Sequence, residues 1–401
     1  MHPRWKIGDK NLFTWLQASL STPANGAGRN KTNGQRMLKE YKDNFYRDDS
    51  RLHLNNAGLS PISRPARDKV FYWAERFYQE GFYSDKDYMS DVFHSRVSLA
   101  KIIGCNSNEV AFFQSTASAI SQLCFHFPLS TGDEVITWDQ EYASNLYPWQ
   151  EACKRSGARL VIVDSEKDYS TPVNNILSKI TKHTKVVAIS WVQFLTGSRT
   201  DLIALSKVTR EKEIFLFVDV MQGLGLHPFN MKEWGIDAIA GGSHKWLTSP
   251  VGVGFLALDT KHIEKIKPHN VGAYTYGSCD DPTDLFCTPK KDAMKFEAGS
   301  KQVLEITALG ASVDLILKTT VLEIEKEVLR HSSGLQRGLI DLGYEVHYNN
   351  SSIINFLPRS DSAARLAAIP CNFALRGPGI RLSPHAFNTD EDIEKVLKAL
   401  A

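Results

Sequence analysis

Between Glu109 and Leu258 short apolar runs recur at a steady spacing: EVAFF, DEVITW, RLVIVD, KVVAISWV, IFLFVDV, DAIAG and GVGFLAL. Unbroken apolar runs, rather than apolar–polar alternation, fit strands covered on both faces. Helical patterns lie between them. Thr116 to Phe127 puts Ile120, Leu123, Cys124 and Phe127 on one stripe, and Leu202 to Glu211 is a second helix candidate. Strands alternating with helices predict an α/β fold with a mostly parallel sheet and right-handed crossovers.

After Lys295 the pattern changes. Glu305 to Leu317 and Val321 to Leu342 read as long helices, followed by strand candidates YEVHY, SIINFL, CNFALR and IRLS and a last helix from Thr389 to Leu400. Residues 1–48 are polar, with a Gly/Asn/Lys-rich patch from Asn25 to Gly34, and are expected to form a mobile extension ending in a helix near Arg36 to Phe45. The expected division is therefore an extension over 1–48, a large domain over 49–300 and a smaller α+β domain over 301–401. No repeat of fixed period is present.

Apolar residues make up 42% and charged residues 23% of the 401 positions, as in ordinary globular chains. With 47 basic and 45 acidic side chains, the net charge of +2 provides no broad field for nucleic acid or anionic lipid. No apolar run approaches the ~18 residues of a membrane helix. Leu12 to Leu20 is interrupted by Gln17 and Ser19, unlike a secretory signal, and the six cysteines include no Cys-x-x-Cys pair. Reduced thiols and a cytoplasmic setting are the expectation, and no metal-ligand set is singled out.

The strongest local signal is Gly241-Gly242-Ser243-His244-Lys245-Trp246, which follows a predicted strand. Ligands of open α/β sheets bind at the carboxyl ends of strands, where Lys245 would attack a carbonyl as a desolvated amine. Asp219 ends IFLFVD and would share that edge. A buried carboxylate there would keep a pyridine-type nitrogen protonated, with Gln222 bonding a ring oxygen. Gln114 to Ser118 sits between EVAFF and the Thr116 helix, so its amides suit a phosphate, although Ser and Thr at a helix start are also plain caps.

Together with LNNAGLSP (Leu54–Pro61), EYASNLYPW (Glu141–Trp149), FEAGS (Phe296–Ser300) and RLSPHAFNTDEDI (Arg381–Ile393), these segments resemble fold-type I pyridoxal phosphate enzymes of the class V aminotransferase and cysteine desulfurase-like family. The resemblance spans about residues 50 to 400. It implies that Lys245 forms the Schiff base with pyridoxal 5'-phosphate, that Asp219 pairs with the ring nitrogen and that Gln222 contacts the ring oxygen. It further implies that Ser115, Thr116, Ala117 and His244 hold the phosphate. Ser300 matches a hydroxyl that reaches the neighbouring subunit's phosphate, so a homodimer with shared active sites is implied. Tyr142 matches the residue stacked on the ring, and Gln193 one near the ring oxygen or the substrate. Arg381 matches the arginine that clamps the α-carboxylate of a small amino acid, a role suited to a planar guanidinium. Arg376 is close enough in sequence to be taken for it. Asn56, with Asn55, is placed on the substrate side, a position that turn chemistry explains equally well.

Three departures narrow the chemistry. Desulfurases usually carry histidine where Tyr142 stands, which leans towards the isopenicillin N epimerase-like and kynureninase-like branches. A persulfide-forming desulfurase needs a mobile cysteine where Leu366 stands, and Cys371 falls inside the predicted strand CNFALR. Gly242 replaces a frequent phosphate-binding serine, leaving Ser243 as its only substitute. An aminotransferase or carbon–sulfur lyase is the leading expectation. The alternatives are an epimerase and a catalytically silent scaffold, against which the retained Lys245, Asp219 and Arg381 argue. A nicotinamide enzyme is disfavoured, since no Gly-x-Gly-x-x-Gly follows an early strand.

Overall fold

The computed structural model describes residues 31–48, 50–81, 85–277 and 287–401. Residues 1–30, which carry most of the expected extension, and Cys279 lie outside the described residues. The expected helix near Arg36 is α1, Lys31–Lys42.

The seven apolar runs form one sheet: β1 (Val110–Phe113), β2 (Glu134–Trp138), β3 (Arg159–Val163), β4 (Thr184–Ser190), β5 (Phe215–Asp219), β6 (Ala238–Gly242) and β7 (Gly254–Leu258). Their order is β1-β7-β6-β5-β4-β2-β3. β7 runs antiparallel to both neighbours and the remaining pairs are parallel.

Alternate side chains enter two separate cores. Val110, Phe112, Ile136, Val187, Leu216 and Val218 face one. Ala111, Phe113, Val135, Val186, Phe215 and Phe217 face the other. Both faces are therefore covered, which is why the strands read as continuous apolar runs. The first core is closed by α3 (Asp85–Ile103), α6 (Leu202–Glu211) and α7 (Val303–Thr319), with α2 (Arg64–Glu80) packed against α7, and the second by α4 (Thr116–Phe125) and α5 (Ala143–Ser156).

The sequence assigned α7 to the smaller unit, yet Ile306, Leu309, Val313 and Ile316 are buried in the first core. A third core begins further on, where Leu335 and Leu339 of α8 (Val321–Asp341) meet Phe356, Ile380, Leu382 and, from α9 (Asp390–Leu400), Ile393 and Val396. Its three strands, β8 (Ile354–Phe356), β9 (Ala374–Arg376) and β10 (Gly379–Leu382), are antiparallel in the order β9-β10-β8. YEVHY is not a strand: Val346 bridges Phe356, but the Tyr348 amide turns away to the Asp168 carbonyl.

Leu52–His53 pairs with Cys371–Asn372, and Asn55 bridges Ser383, so the segment before α2 packs along the C-terminal unit, while the Ser60 amide donates to the His244 carbonyl beyond β6 at 3.0 Å. Cys105, Cys124, Cys153 and Cys371 are free, whereas Cys287 is disulfide-bonded. This corrects the expectation of reduced thiols throughout; a test for Cys-x-x-Cys spacing says nothing about pairs at other separations. Among the described residues no helix is long and apolar enough to cross a membrane.

Candidate active site

Parallel strands deliver their carboxyl ends to one edge, and the site lies there. β2 leads into Glu141 and Tyr142, β4 ends at Ser190, β5 at Asp219, and β6 runs into His244 and Lys245. Ser190 is in register with Asp219, and Asp219 with Ala240, so these ends are neighbours. β1 points the same way, because two antiparallel steps separate it from β6, and it delivers Ser115. That residue caps α4: its hydroxyl accepts from the Ser118 amide, and the Ser118 hydroxyl accepts from the Ser115 amide.

A cavity of about 270 Å³ opens at this edge. Ser115, Thr116, Ala117 and His244 line one part of it; Tyr142, Asp219, Gln222 and Lys245 line another; Arg376 and Arg381 reach it from the C-terminal sheet. Gly254, opposite Phe113, lets the helix start come close, since a Cβ there would lie 2.1 Å from the Ser115 carbonyl carbon. Gly254→Ala should therefore displace the turn and raise the dissociation constant of an anion held there by about fivefold or more, given ~1–3 kcal/mol for such overpacking. Equilibrium dialysis of the cofactor measures it.

The electrostatics favour an amine nucleophile. Burial holds the Lys245 ammonium below the usual lysine range, Arg381 adds to the effect and Asp219 opposes it. Asp219 is buried, which raises its carboxyl pKa; its Oδ1 accepts from the Met221 amide at 2.8 Å. Burial, with the charge on Lys245, lowers His244 to about 4, so its imidazole is neutral. Gln222 accepts from Trp246 Nε1 and donates to the Ala57 carbonyl, each at 3.0 Å, which leaves one amide N–H unused. Tyr142 is half exposed, with its ring edge-on to Phe194 and 5.8 Å from Lys245 Nζ.

Arg381 is buried. Its Nη1 donates to the Phe194 carbonyl at 2.6 Å, its Nη2 reaches Asn55 Oδ1 at 3.5 Å and its Nε has no partner. Burial and the nearby Arg376 pull it down to about 10. Among the described residues no carboxylate pairs with it. A buried cation without a counter-charge is costly, and this one is available to a ligand carboxylate.

Four expected residues lie elsewhere. Asn56 does not line the cavity: its amide is consumed by the Ser383 carbonyl at 2.8 Å and the Ser60 hydroxyl at 3.0 Å, and Asn55 is the asparagine that meets Arg381. Gln193 is fully buried behind the wall and donates to Glu141 at 3.3 Å. Ser300 is exposed and outside the cavity. Ser243 does not replace the missing serine, because its hydroxyl donates to the Pro250 carbonyl; at Gly242 a Cβ would meet Thr116 Oγ1 at 2.9 Å. Sequence reasoning passed over Glu141, a buried carboxyl that takes Ser190 N and Oγ at 2.6 Å and Asn145 Nδ2 at 2.8 Å, and that burial raises to about 7. Its only signal was adjacency to Tyr142.

The sequence profile described as Aminotransferase class-V matches residues 80–369. The chain belongs to the class-V aminotransferase family. It is a pyridoxal phosphate-dependent enzyme acting on an amino acid. The donor set fits that cofactor: an amine of lowered pKa, a buried carboxylate and a capped helix start face one cavity. The chain is similar to a probable cysteine desulfurase of Pyrococcus abyssi, 25% identical over 76% of this chain and 81% of that protein. It is also similar to the uncharacterized aminotransferase YcbU of Bacillus subtilis, 23% identical over 86% of this chain and 91% of that one. The fold matches the apo cysteine desulfurase of Thermococcus onnurineus NA1, with a TM-score of 0.80 at 20% identity over 90% of this chain and 96% of that one.

Proposed function

We propose that Lys245 carries the cofactor and that the site transforms an α-amino acid held through its carboxylate by Arg381, as an aminotransferase or a carbon–sulfur lyase without a cysteine nucleophile. The observation that carries this reading is the cavity shared by Lys245, Asp219 and the unpaired Arg381. The bound cofactor supplies a ring that withdraws electrons from Cα. Asp219 would keep the ring nitrogen protonated, and the spare N–H of Gln222 would be free to bond the ring oxygen. The Ser115–Ala117 amides and hydroxyls receive the phosphate, with His244 beside them. Arg381 would hold the substrate carboxylate and Tyr142 would limit its orientation, and the Lys245 amine would move the Cα proton.

A persulfide relay has no place in this scheme. Leu366 is buried in the helix Ser362–Ala368, and Cys371 is buried beside Leu52 with its thiol pushed up to about 12. The same reading makes the protein a homodimer in which exposed Ser300 reaches the partner's phosphate. A cytoplasmic setting belongs to it too, and the disulfide at Cys287 is the observation that pulls against that setting.

Incubation of the holoenzyme with pooled amino acids and keto acids tests the reaction class. A new amino acid with its paired keto acid marks transamination, and pyruvate with sulfide marks carbon–sulfur cleavage; neither product, together with no proton exchange at Cα, would leave the silent scaffold. An epimerase is the alternative reading, suggested by Tyr142 standing where desulfurases usually carry histidine; its ring centroid lies 5.8 Å from Lys245 Nζ. Deuterium uptake at Cα without keto acid would support it.

A further inference from the structure

Two arginines reach the cavity, and the proposed chemistry uses one. Both come from the β9–β10 hairpin, whose register sets Ala374 opposite Arg381 and Arg376 opposite Gly379. Residues two apart on a strand share a face, so Arg376 lies on the same face as Arg381, on its diagonal. Such diagonal neighbours stand about 7–8 Å apart, within reach of long side chains. Ile380, on the other face, is buried in the third core. The hairpin therefore turns both guanidiniums away from its core, and both line the cavity.

The positions around Arg376 keep its path open. Gly379 across the ladder has no side chain, and a Cβ there would fall 1.8 Å from Asn355 Oδ1. Ala374, across from Arg381, is small. Arg376 Nη1 donates to the Leu375 carbonyl at 2.8 Å, which leaves the other donors of its fork unused. Among the described residues no carboxylate pairs with Arg376. Its charge is felt by both Arg381 and Lys245, whose pKa values it lowers.

The charges facing the cavity are Lys245, Arg376 and Arg381 against the single carboxylate of Asp219, with neutral His244 and the Tyr142 phenol beside them. The α-carboxylate of a substrate answers Arg381, and the cofactor phosphate belongs with the helix start. One guanidinium remains without an anion. We propose that Arg376 is a specificity-determining residue that binds a second acidic group on the substrate side chain, so that the site takes acidic amino acids. This inference rests on the reading of Lys245 and Arg381 given above.

The test compares L-glutamate with L-glutamine and L-aspartate with L-asparagine, pairs alike in shape that differ in side-chain charge. Dissociation constants are measured on the holoenzyme by calorimetry and by the visible spectrum of the bound cofactor. One acid should bind at least about tenfold more tightly than its amide, the scale of one charge-assisted hydrogen-bond pair. Arg376→Gln should abolish that preference by weakening the acid while the amide changes by less than about twofold, and Arg376→Lys should retain part of it. Arg381→Gln should weaken all four ligands. Equal binding of acid and amide by the unsubstituted protein, or equal weakening of both by Arg376→Gln, would overturn the role of Arg376 alone. Cofactor that binds without attaching to Lys245 would overturn the reading of the site together with it.

Discussion

Replacing Lys245 by alanine is expected to lower turnover by more than about a thousandfold, because one amine is asked both to attach the cofactor and to move a proton at Cα. The loss should be chemical rather than structural. Nζ has no hydrogen bond or ion pair among the described residues, and burial disfavours its charged form. Removing the side chain should therefore leave the melting temperature of the cofactor-free protein unchanged or slightly raised. Single-turnover kinetics and thermal unfolding on the same preparation separate the two effects. Added methylamine should restore part of the rate, since it returns an amine without the tether.

Asp219→Asn is expected to cost about a hundredfold to ten-thousandfold in turnover, the range of a lost acid–base contribution. The amide keeps the size of the side chain and can still accept from the Met221 amide, so the site should keep its shape. What it loses is the negative charge that favours a protonated ring nitrogen. The stability effect should have the opposite sign. Burial raises the folded carboxyl above its unfolded value of ~3.9, so the stability that Asp219 contributes is present below that pH and is lost as pH rises through the folded value. At neutral pH the cofactor-free Asp219→Asn protein should therefore be at least as stable as the parent, and its advantage should shrink on acidification. Thermal melts across that window, read beside the turnover number, check both signs.

The sheet was legible because five of its seven strands are buried along their whole length, and side chains enclosed on both faces are mostly apolar, with exceptions such as Asp219 at a strand end. α4, α6, α8 and α9 showed through their stripes. α2 did not: it buries only Ala66 and Trp73 and exposes Phe71, Tyr72 and Tyr78, so its pattern has no clean face. α5 carries Pro148 inside it, which reads as a break. Lys245 and Asp219 stood out because each directly follows or ends an apolar run, where a strand end must lie. Asn55 and Asn56 are adjacent and chemically identical, and only the backbone turn decides which of them meets Arg381. Arg376 was set aside as a near neighbour of Arg381 because nothing but strand register places the two on one face. Glu141 accepts from Ser190 and Gln193, contacts that spacing along the chain does not encode.

The attachment of the cofactor to Lys245 is the central claim, and borohydride reduction tests it most directly. The purified protein should show a visible absorption band that reduction abolishes, and peptide mapping should find the reduced pyridoxyl group on the peptide containing Ser243-His244-Lys245-Trp246. A label on any other lysine, or no label on a protein saturated with the cofactor, would contradict the account.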